Sequence, residues 1–270
     1  MHKTSLRILI LIFSMILGDT FAQNSIDQPV QISAHRGNSL TAPENTLATF
    51  RKILEMGVEY IEMDVRTASD GTLVILHDGT LDRTTDGQGP IKNLTLKEIK
   101  KLSAGKGFGQ EFINEQIPTL EEAVKLIDRW NKGHSKKTYI YVDCKQVSAK
   151  PLIEILTSYE LAAGSVYYGN DSFLKELKGV YPQAKLLPAL KSIEEIAAKV
   201  QNLQPYAFDV SWLSLNQALV DEIHSKGILI FSDLLGPFDR TENYLKAKDL
   251  KIDLIQTDHV KLVKESLEIR

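Results

Sequence analysis

The sequence predicts an α/β chain folded as a (β/α)8 barrel of the TIM type, with a small subdomain inserted after a hairpin at the second strand. Three observations predict it. From residue 30 onward, short β-branched runs alternate with longer amphipathic stretches, as β/α units around a parallel sheet require. Eight such runs remain for the parallel set once a ninth is assigned to a hairpin arm. Beyond a short leader the chain keeps roughly 250 residues, the usual size of this barrel. An open doubly wound sheet shares the same periodicity and is the competing architecture.

The elements follow in order. Lys3 and Arg7 precede an apolar run at 8–17, and the "GDTFAQ" that follows puts small residues at Thr20 and Ala22. This is the pattern of a signal peptide spanning 1–22, cleaved after Ala22, in a chain exported to the periplasm or secreted. The run is about half the ~20 residues of a membrane span, so no stable membrane insertion is expected. Residues 23–270 then form the barrel domain. Strands are expected at 30–34, 60–66, 73–77, 138–142, 165–169, 184–187, 206–210, 227–232 and 253–257. Helices are expected at 46–56, 120–130, 151–159, 172–179, 193–202, 217–226 and 240–248.

One junction breaks the rhythm. Only "TASDGT" separates the second and third runs, far short of a parallel crossover, and its Asp70-Gly71 pair signals a hairpin. Residues 79–118, rich in turn residues and carrying Gly105, Gly107 and Gly109 around Phe108, read as a small insertion over one end of the barrel.

Composition excludes several classes. With 43% hydrophobic and 25% charged residues the chain is neither disordered nor fibrous. A net charge of -3 supplies no basic field for nucleic acid. The single cysteine, Cys144, permits no internal disulfide and makes a weak case for a nucleophile beside Lys145. No G-x-S-x-G elbow, P-loop or H-E-x-x-H occurs.

The chemistry-bearing residues sit where a barrel puts its active site, at the C-terminal ends of strands. If Asp70 and Gly71 are the two turn residues of the hairpin, Asp64 falls opposite His77, and Glu62, Asp64 and His77 share one face. Two inward carboxylates in a strand as apolar as "YIEMDV" require compensation, which a divalent cation supplies; oxygen donors favour Ca2+ or Mg2+. The alternative, an exposed edge strand with both acids solvated, fits poorly with Tyr60, Ile61, Met63 and Val65. In "TYIYVDCK", Asp143 completes a three-carboxylate set and Lys145 holds an anion, or else the two form a plain ion pair capping the strand. His35 and Arg36 close the first strand. An arginine fork matches phosphate oxygens and histidine transfers protons, so His35, His77, Arg36, Lys145 and the carboxylates together suit metal-assisted phosphoryl transfer. His134, His224 and His259 read as structural or solvated.

The segments "AHRG", "PENT", "IEMDV", "DGTLVILHD", "LDRTTDGQG", "IPTLEEAV" and "IDLIQTD", in this order, resemble the glycerophosphodiester phosphodiesterase family of phospholipase C-like barrels over nearly the whole mature chain. The resemblance implies a metal-dependent enzyme that hydrolyses glycerophosphodiesters to glycerol 3-phosphate and an alcohol. It implies His35 and His77 as acid and base, Arg36 as the phosphate ligand, and Glu62 and Asp64 as ligands of one divalent cation. Glu44 becomes a carboxylate orienting substrate or its neighbours, with Asn45 or Thr46 capping the helix. It also implies attack by a substrate hydroxyl to give a cyclic phosphate that water opens. The sequence departs from the family twice. The third ligand, usually Glu in an E-x-K strand, is Asp143, and a Trp-Thr pair in the late strand is replaced by Phe231 and Ser232, with Phe231 expected as a flat wall against glycerol. The partner expected is a small-molecule glycerophosphodiester; nothing in the sequence sets an oligomeric state. A related phosphodiesterase or lyase acting on lysolipid, sphingolipid or inositol diesters, favoured if Phe108 and Phe112 form an apolar rim, and a non-catalytic binding protein are the alternatives.

Overall fold

The computed structural model describes residues 29–38 and 40–269; the leader expected at 1–22 lies outside them. Nine strands occur among the described residues: β1 (Gln31–Ala34), β2 (Tyr60–Thr67), β3 (Leu73–Ile75), β4 (Tyr139–Gln146), β5 (Val166–Gly169), β6 (Lys185–Leu190), β7 (Ala207–Val210), β8 (Leu229–Asp233) and β9 (Leu254–Thr257). All but β3 are parallel, and β1 pairs with both β9 and β2, so the eight close into a (β/α)8 barrel. β3 lies outside the ring, antiparallel to β2.

The helices are α1 (Leu47–Glu55), α2 (Leu96–Ile99), α3 (Leu120–Gly133), α4 (Ala149–Ser158), α5 (Asp171–Val180), α6 (Ile196–Leu203), α7 (Gln217–Ser225), α8 (Thr241–Asp249) and α9 (Val260–Leu267). All except α2 follow a ring strand or its hairpin. Helix α9 has no counterpart in the sequence reading; it completes the outer layer by burying Val260, Val263 and Leu267. Its start carries no side-chain cap, which removes the usual start signal. No helix among the described residues is long and apolar enough to cross a membrane.

Strand alternation divides the core in two. Ile140, Val142 and Cys144 of β4 point outward into the strand-helix layer, while Tyr141 points into the barrel with Tyr60, Val166, Leu187, Ala207, Phe231 and Leu254. Three departures from the sequence reading bear on the site. First, β4 runs to Gln146, so Asp143 and Lys145 belong to the strand. Second, the hairpin loop has three residues: Ala68 N–H bonds Thr72 O (2.9 Å), and Gly71 sits at φ +85°, the left-handed position such a loop requires. The ladder therefore pairs Val65 with Ile75, and Leu76 N–H bonds Asp64 O, which corrects the expected Asp64–His77 pairing by one residue. Third, the stretch after β3 has its own small core of Leu76, Leu81, Ile91, Ile99, Ala104 and Ile117. Asp70 stitches it to the hairpin by accepting the N–H of Leu96 (2.8 Å).

Candidate active site

The site forms where β1 ends. Arg36, Gly37 and Asn38 all have positive φ, at 49°, 80° and 66°. Only glycine fits the middle position, because a Cβ there would lie 2.5 Å from Thr49 and 2.7 Å from Phe50 of α1. Left-handed Arg36 and Asn38 cost on the order of 1 kcal/mol each. The turn aims the Arg36 N–H at Glu62 Oε2, 2.7 Å away, and lets its side chain fold back over the barrel mouth.

Glu62 and Asp64 of β2 are 2% and 1% exposed. Asp64 and Asp143 are direct register partners on adjacent strands, so the shorter aspartate still reaches the group. Ligand oxygens of Glu62, Asp64 and Asp143 all lie within 4.8 Å of one another. Lys145 is the extra residue of an irregularity in which Arg66 pairs with Gln146, and its Nζ lies 2.5 Å from Asp143 and 3.3 Å from Asp64. Asn45, at φ 58°, donates to Asp64 Oδ2 (2.7 Å), whereas Thr46 caps α1; the "PENT" segment thus divides into a site residue and a cap. Burial, then the charges of Asp64 and Asp143, push the Glu62 carboxyl well above its usual range. Burial likewise raises Asp143, against the pull of Lys145. These groups fit a divalent cation: the donors are all oxygen, and the acids are held where ionisation is costly unless a cation is bound.

Each candidate histidine faces a carboxylate through Nδ1. His35 Nδ1 lies 3.0 Å from Asp258 Oδ1, just past β9. Asp258 is in turn held by its N–H to buried Asp239 Oδ2 (2.8 Å), and Asp239 also accepts from Thr257 and Tyr244. His77 Nδ1 lies 2.7 Å from Asp78 Oδ1. Although β3 has ended, Arg66 draws the Leu76 and His77 carbonyls onto its guanidinium at 2.5–3.1 Å, which holds His77 beside the end of β2.

Arg83 of the inserted segment ties the two sides together, bonding Asp78 at 2.7 and 3.1 Å and Glu44 at 2.8 Å twice. Glu44 in turn accepts from Arg36 Nη1 at 3.1 Å. Hydrogen bonds from Arg83 hold Asp78 well below the usual carboxylate range. Burial pulls Glu44 upward, but the hydrogen bonds and charges of Arg83 and Arg36 outweigh it and leave it lowered. Arg36 Nε, buried and 3.5 Å from Asp64 Oδ2, makes no hydrogen bond among the described residues, so the fork keeps a donor free.

Phe231 is placed differently. It is 0% exposed, packed among Tyr60, Tyr141 and Tyr206 beneath the mouth, and offers no wall to a ligand. Two residues on, Asp233 occupies the rim at the end of β8, with Asp209 on β7. Cys144 is buried on the outer face and its thiol is pushed up by burial, which leaves it inert. On the insertion, Phe108 packs edge-on against Phe112 and is 38% exposed. Sequence reasoning missed Asn45, Asp78, Arg83, Asp209, Asp233, Asp239 and Asp258. Asp78, Arg83 and Asp258 lie inside the recognised segments, and the signal for Asp233 and Asp258 was their place at strand C-terminal ends.

A profile of the glycerophosphoryl diester phosphodiesterase family matches residues 35–262. A glycerophosphodiester phosphodiesterase of Caldanaerobacter subterraneus is 32% identical over 235 residues, covering 84% of this chain and 93% of that one. One from Bacillus subtilis is 32% identical over 222 residues, covering 73% of each. Among solved structures, an Oleispira antarctica phosphodiesterase in complex with the product sn-glycerol-3-phosphate superposes with TM-score 0.79 at 26% identity, covering 88% and 96% of the two chains.

Proposed function

Because the chain belongs to the glycerophosphoryl diester phosphodiesterase family and is therefore a phosphoric diester hydrolase, we propose that it is an exported enzyme cleaving glycerophosphodiesters to glycerol 3-phosphate and an alcohol. The observation that carries this reading is the convergence, at one end of the barrel, of two carboxylate-backed histidines on a three-carboxylate group with Arg36 and Lys145. Export rests on the leader pattern at residues 1–22.

Glu62, Asp64 and Asp143 would hold one divalent cation, Ca2+ or Mg2+, which when bound supplies positive charge to the phosphate oxygens and orients the diester. Arg36, anchored by Glu44, offers its remaining N–H to a phosphate oxygen. With each Nδ1–H donated to a carboxylate, Nε2 is the atom left to exchange protons. One histidine takes the proton from the glycerol hydroxyl next to the phosphoester as its oxygen attacks phosphorus. The other protonates the departing alcohol oxygen. The resulting cyclic phosphate is opened by water with the proton roles reversed, which yields glycerol 3-phosphate.

The test is an assay of the mature chain, which starts at Gln23 if the leader is cleaved after Ala22, on glycerophosphodiesters before and after chelation. Activity should fall at least a hundredfold with chelator and return with Mg2+ or Ca2+. Full turnover in excess chelator would remove the metal from the proposal.

A further inference from the structure

Strand β2 carries a third polar residue beyond its two carboxylates. By alternation Arg66 follows Glu62 and Asp64 on the same face, one step nearer the strand's C-terminal end. Its backbone is fixed from both sides, pairing with Gln146 of β4 and, antiparallel, with Val74 of β3. Its guanidinium serves the main chain alone. Among the described residues it meets no carboxylate, and its three hydrogen bonds run from Nε to Leu76 O (3.1 Å) and His77 O (3.0 Å) and from Nη2 to His77 O (2.5 Å). Nη1 reaches on toward Gly79, where a Cβ would stand 3.9 Å from it.

The backbone on either side shows why this grip matters. The ladder with β2 ends where Leu76 N–H meets Asp64 O (2.9 Å), and the inserted segment takes over where Gly79 O accepts the Ile91 N–H (3.0 Å). Between these two points no backbone-to-backbone hydrogen bond fixes His77 or Asp78 among the described residues. Asp78 bonds the His77 ring and Arg83, and Arg83 is half-exposed, so these side chains hold one another rather than the chain. The main-chain fastening of the step that bears His77 is therefore Arg66. Hydrogen bonds from an ionised donor are stronger than those between neutral groups. A planar fork that takes two successive carbonyls also fixes the orientation of the peptide between them, which a lysine ammonium, a single point charge, does not.

We propose that Arg66 is a positioning residue of the reaction: by gripping the main chain of His77 from the strand that carries Glu62 and Asp64, it sets where the His77 imidazole stands relative to those carboxylates. The inference rests on the phosphodiesterase reading and adds a residue to it. The grip reaches the chemistry only through His77. Its loss should therefore slow the proton-transfer step, which depends on sub-ångström placement, and leave binding of the diester nearly as it was.

The experiment measures kcat and KM separately for glycerophosphoglycerol in the Mg2+- or Ca2+-loaded mature chain and its Arg66→Ala and Arg66→Lys variants. Both variants should lose about tenfold or more in kcat while KM stays within about twofold, the lysine failing because one ammonium does not bridge two carbonyls. Arg66→Lys keeps the charge and the aliphatic stem, so it tests the grip even where Arg66→Ala folds poorly. Millimolar guanidinium should return about fivefold or more of the rate to Arg66→Ala and nothing to Arg66→Lys, whose side chain fills the place. Apart from turnover, the imidazole 15N resonances of His77 should move in both variants while those of His35 stay. A kcat near wild type in both variants overturns the proposal. So does a lost rate with unmoved His77 resonances and no response to guanidinium, the pattern of a merely structural arginine. If no glycerophosphodiester is turned over at all, the enzymatic reading fails, and the His77 resonances alone decide whether Arg66 positions the imidazole.

Discussion

His35 and His77 meet the same chemical requirement, an imidazole with Nδ1 on a carboxylate, in two unlike regions. Around His35 the supports are buried groups at the ring's end and in the loop and helix that follow β8: the residue follows β1, Asp258 follows β9, and Asp239, just before α8, is 7% exposed and takes the Asp258 amide together with the Thr257 and Tyr244 hydroxyls. Around His77 the supports are side chains that cross between segments. Arg66 holds the backbone, Asp78 the ring, and half-exposed Arg83 ties Asp78 to Glu44 and so to Arg36. One dyad is fastened by buried hydrogen bonds, the other by an ion-pair network at the rim. The first region should therefore show its damage in stability, the second in activity.

The largest effect expected is common to both. His35→Ala and His77→Ala should each cost about 10^2-fold or more in kcat, the usual contribution of a positioned general acid or base. Comparable losses support a pair working in one cycle. A near-normal rate in either variant would break the symmetry and leave that histidine with a structural role.

Stability separates the regions next. Asp239→Ala leaves two hydroxyls and an amide without their acceptor in a buried place, at a cost of about 1–3 kcal/mol for such a group and so about 3 kcal/mol overall. A melting temperature lower by roughly 5–10 °C is the expected reading. Arg83→Ala removes a half-exposed ion-pair centre, worth up to about 1 kcal/mol. It should instead lower kcat about tenfold, through loosened His77 and Arg36. If thermal melts show Arg83→Ala as damaging as Asp239→Ala, the contrast between the two regions is wrong.

The same contrast marks what was legible in the sequence. The His35 region follows from periodicity: a β-branched run ends on "AHRG", and the strand's C-terminal end is a barrel's working end. Inward-facing Glu62 and Asp64 were likewise visible from strand period alone, and the register of β4 against β2 brought Asp143 to them. The His77 region depends on a hairpin register. Asp70-Gly71 advertises a two-residue turn, and only the Ala68–Thr72 hydrogen bond shows that Ser69 joins the loop. That single residue moves His77 off the ladder, and a backbone hold by Arg66, invisible to any spacing rule, restores it to the site. Phe231 failed for a related reason. A strand contributes inward residues at several depths, and sequence gives the face but not the height, so the rim position went to Asp233 two residues later.

The smallest effect distinguishes the two sides by pH. On the His35 side Asp233 is pushed up to about 6, chiefly by burial, with the charge of His35 pulling against it and that of Asp143 adding to it. A carboxyl raised above its unfolded value keeps its proton in the folded chain where the unfolded chain has already released it, so its penalty grows as pH rises from 5 to 7. Glu62, Asp143 and Asp209 are displaced in the same direction. On the His77 side Asp78 is held low by Arg83, stays ionised throughout that window, and loses its stabilising effect only well below pH 4. The metal-stripped protein should therefore melt a few degrees higher at pH 5 than at pH 7, on the order of 1 kcal/mol for Asp233 alone. Arg83→Ala should retain this rise and Asp233→Asn should reduce it. A melting temperature that falls between pH 7 and pH 5, or a rise abolished by Arg83→Ala, would place the titrating groups on the wrong side of the mouth.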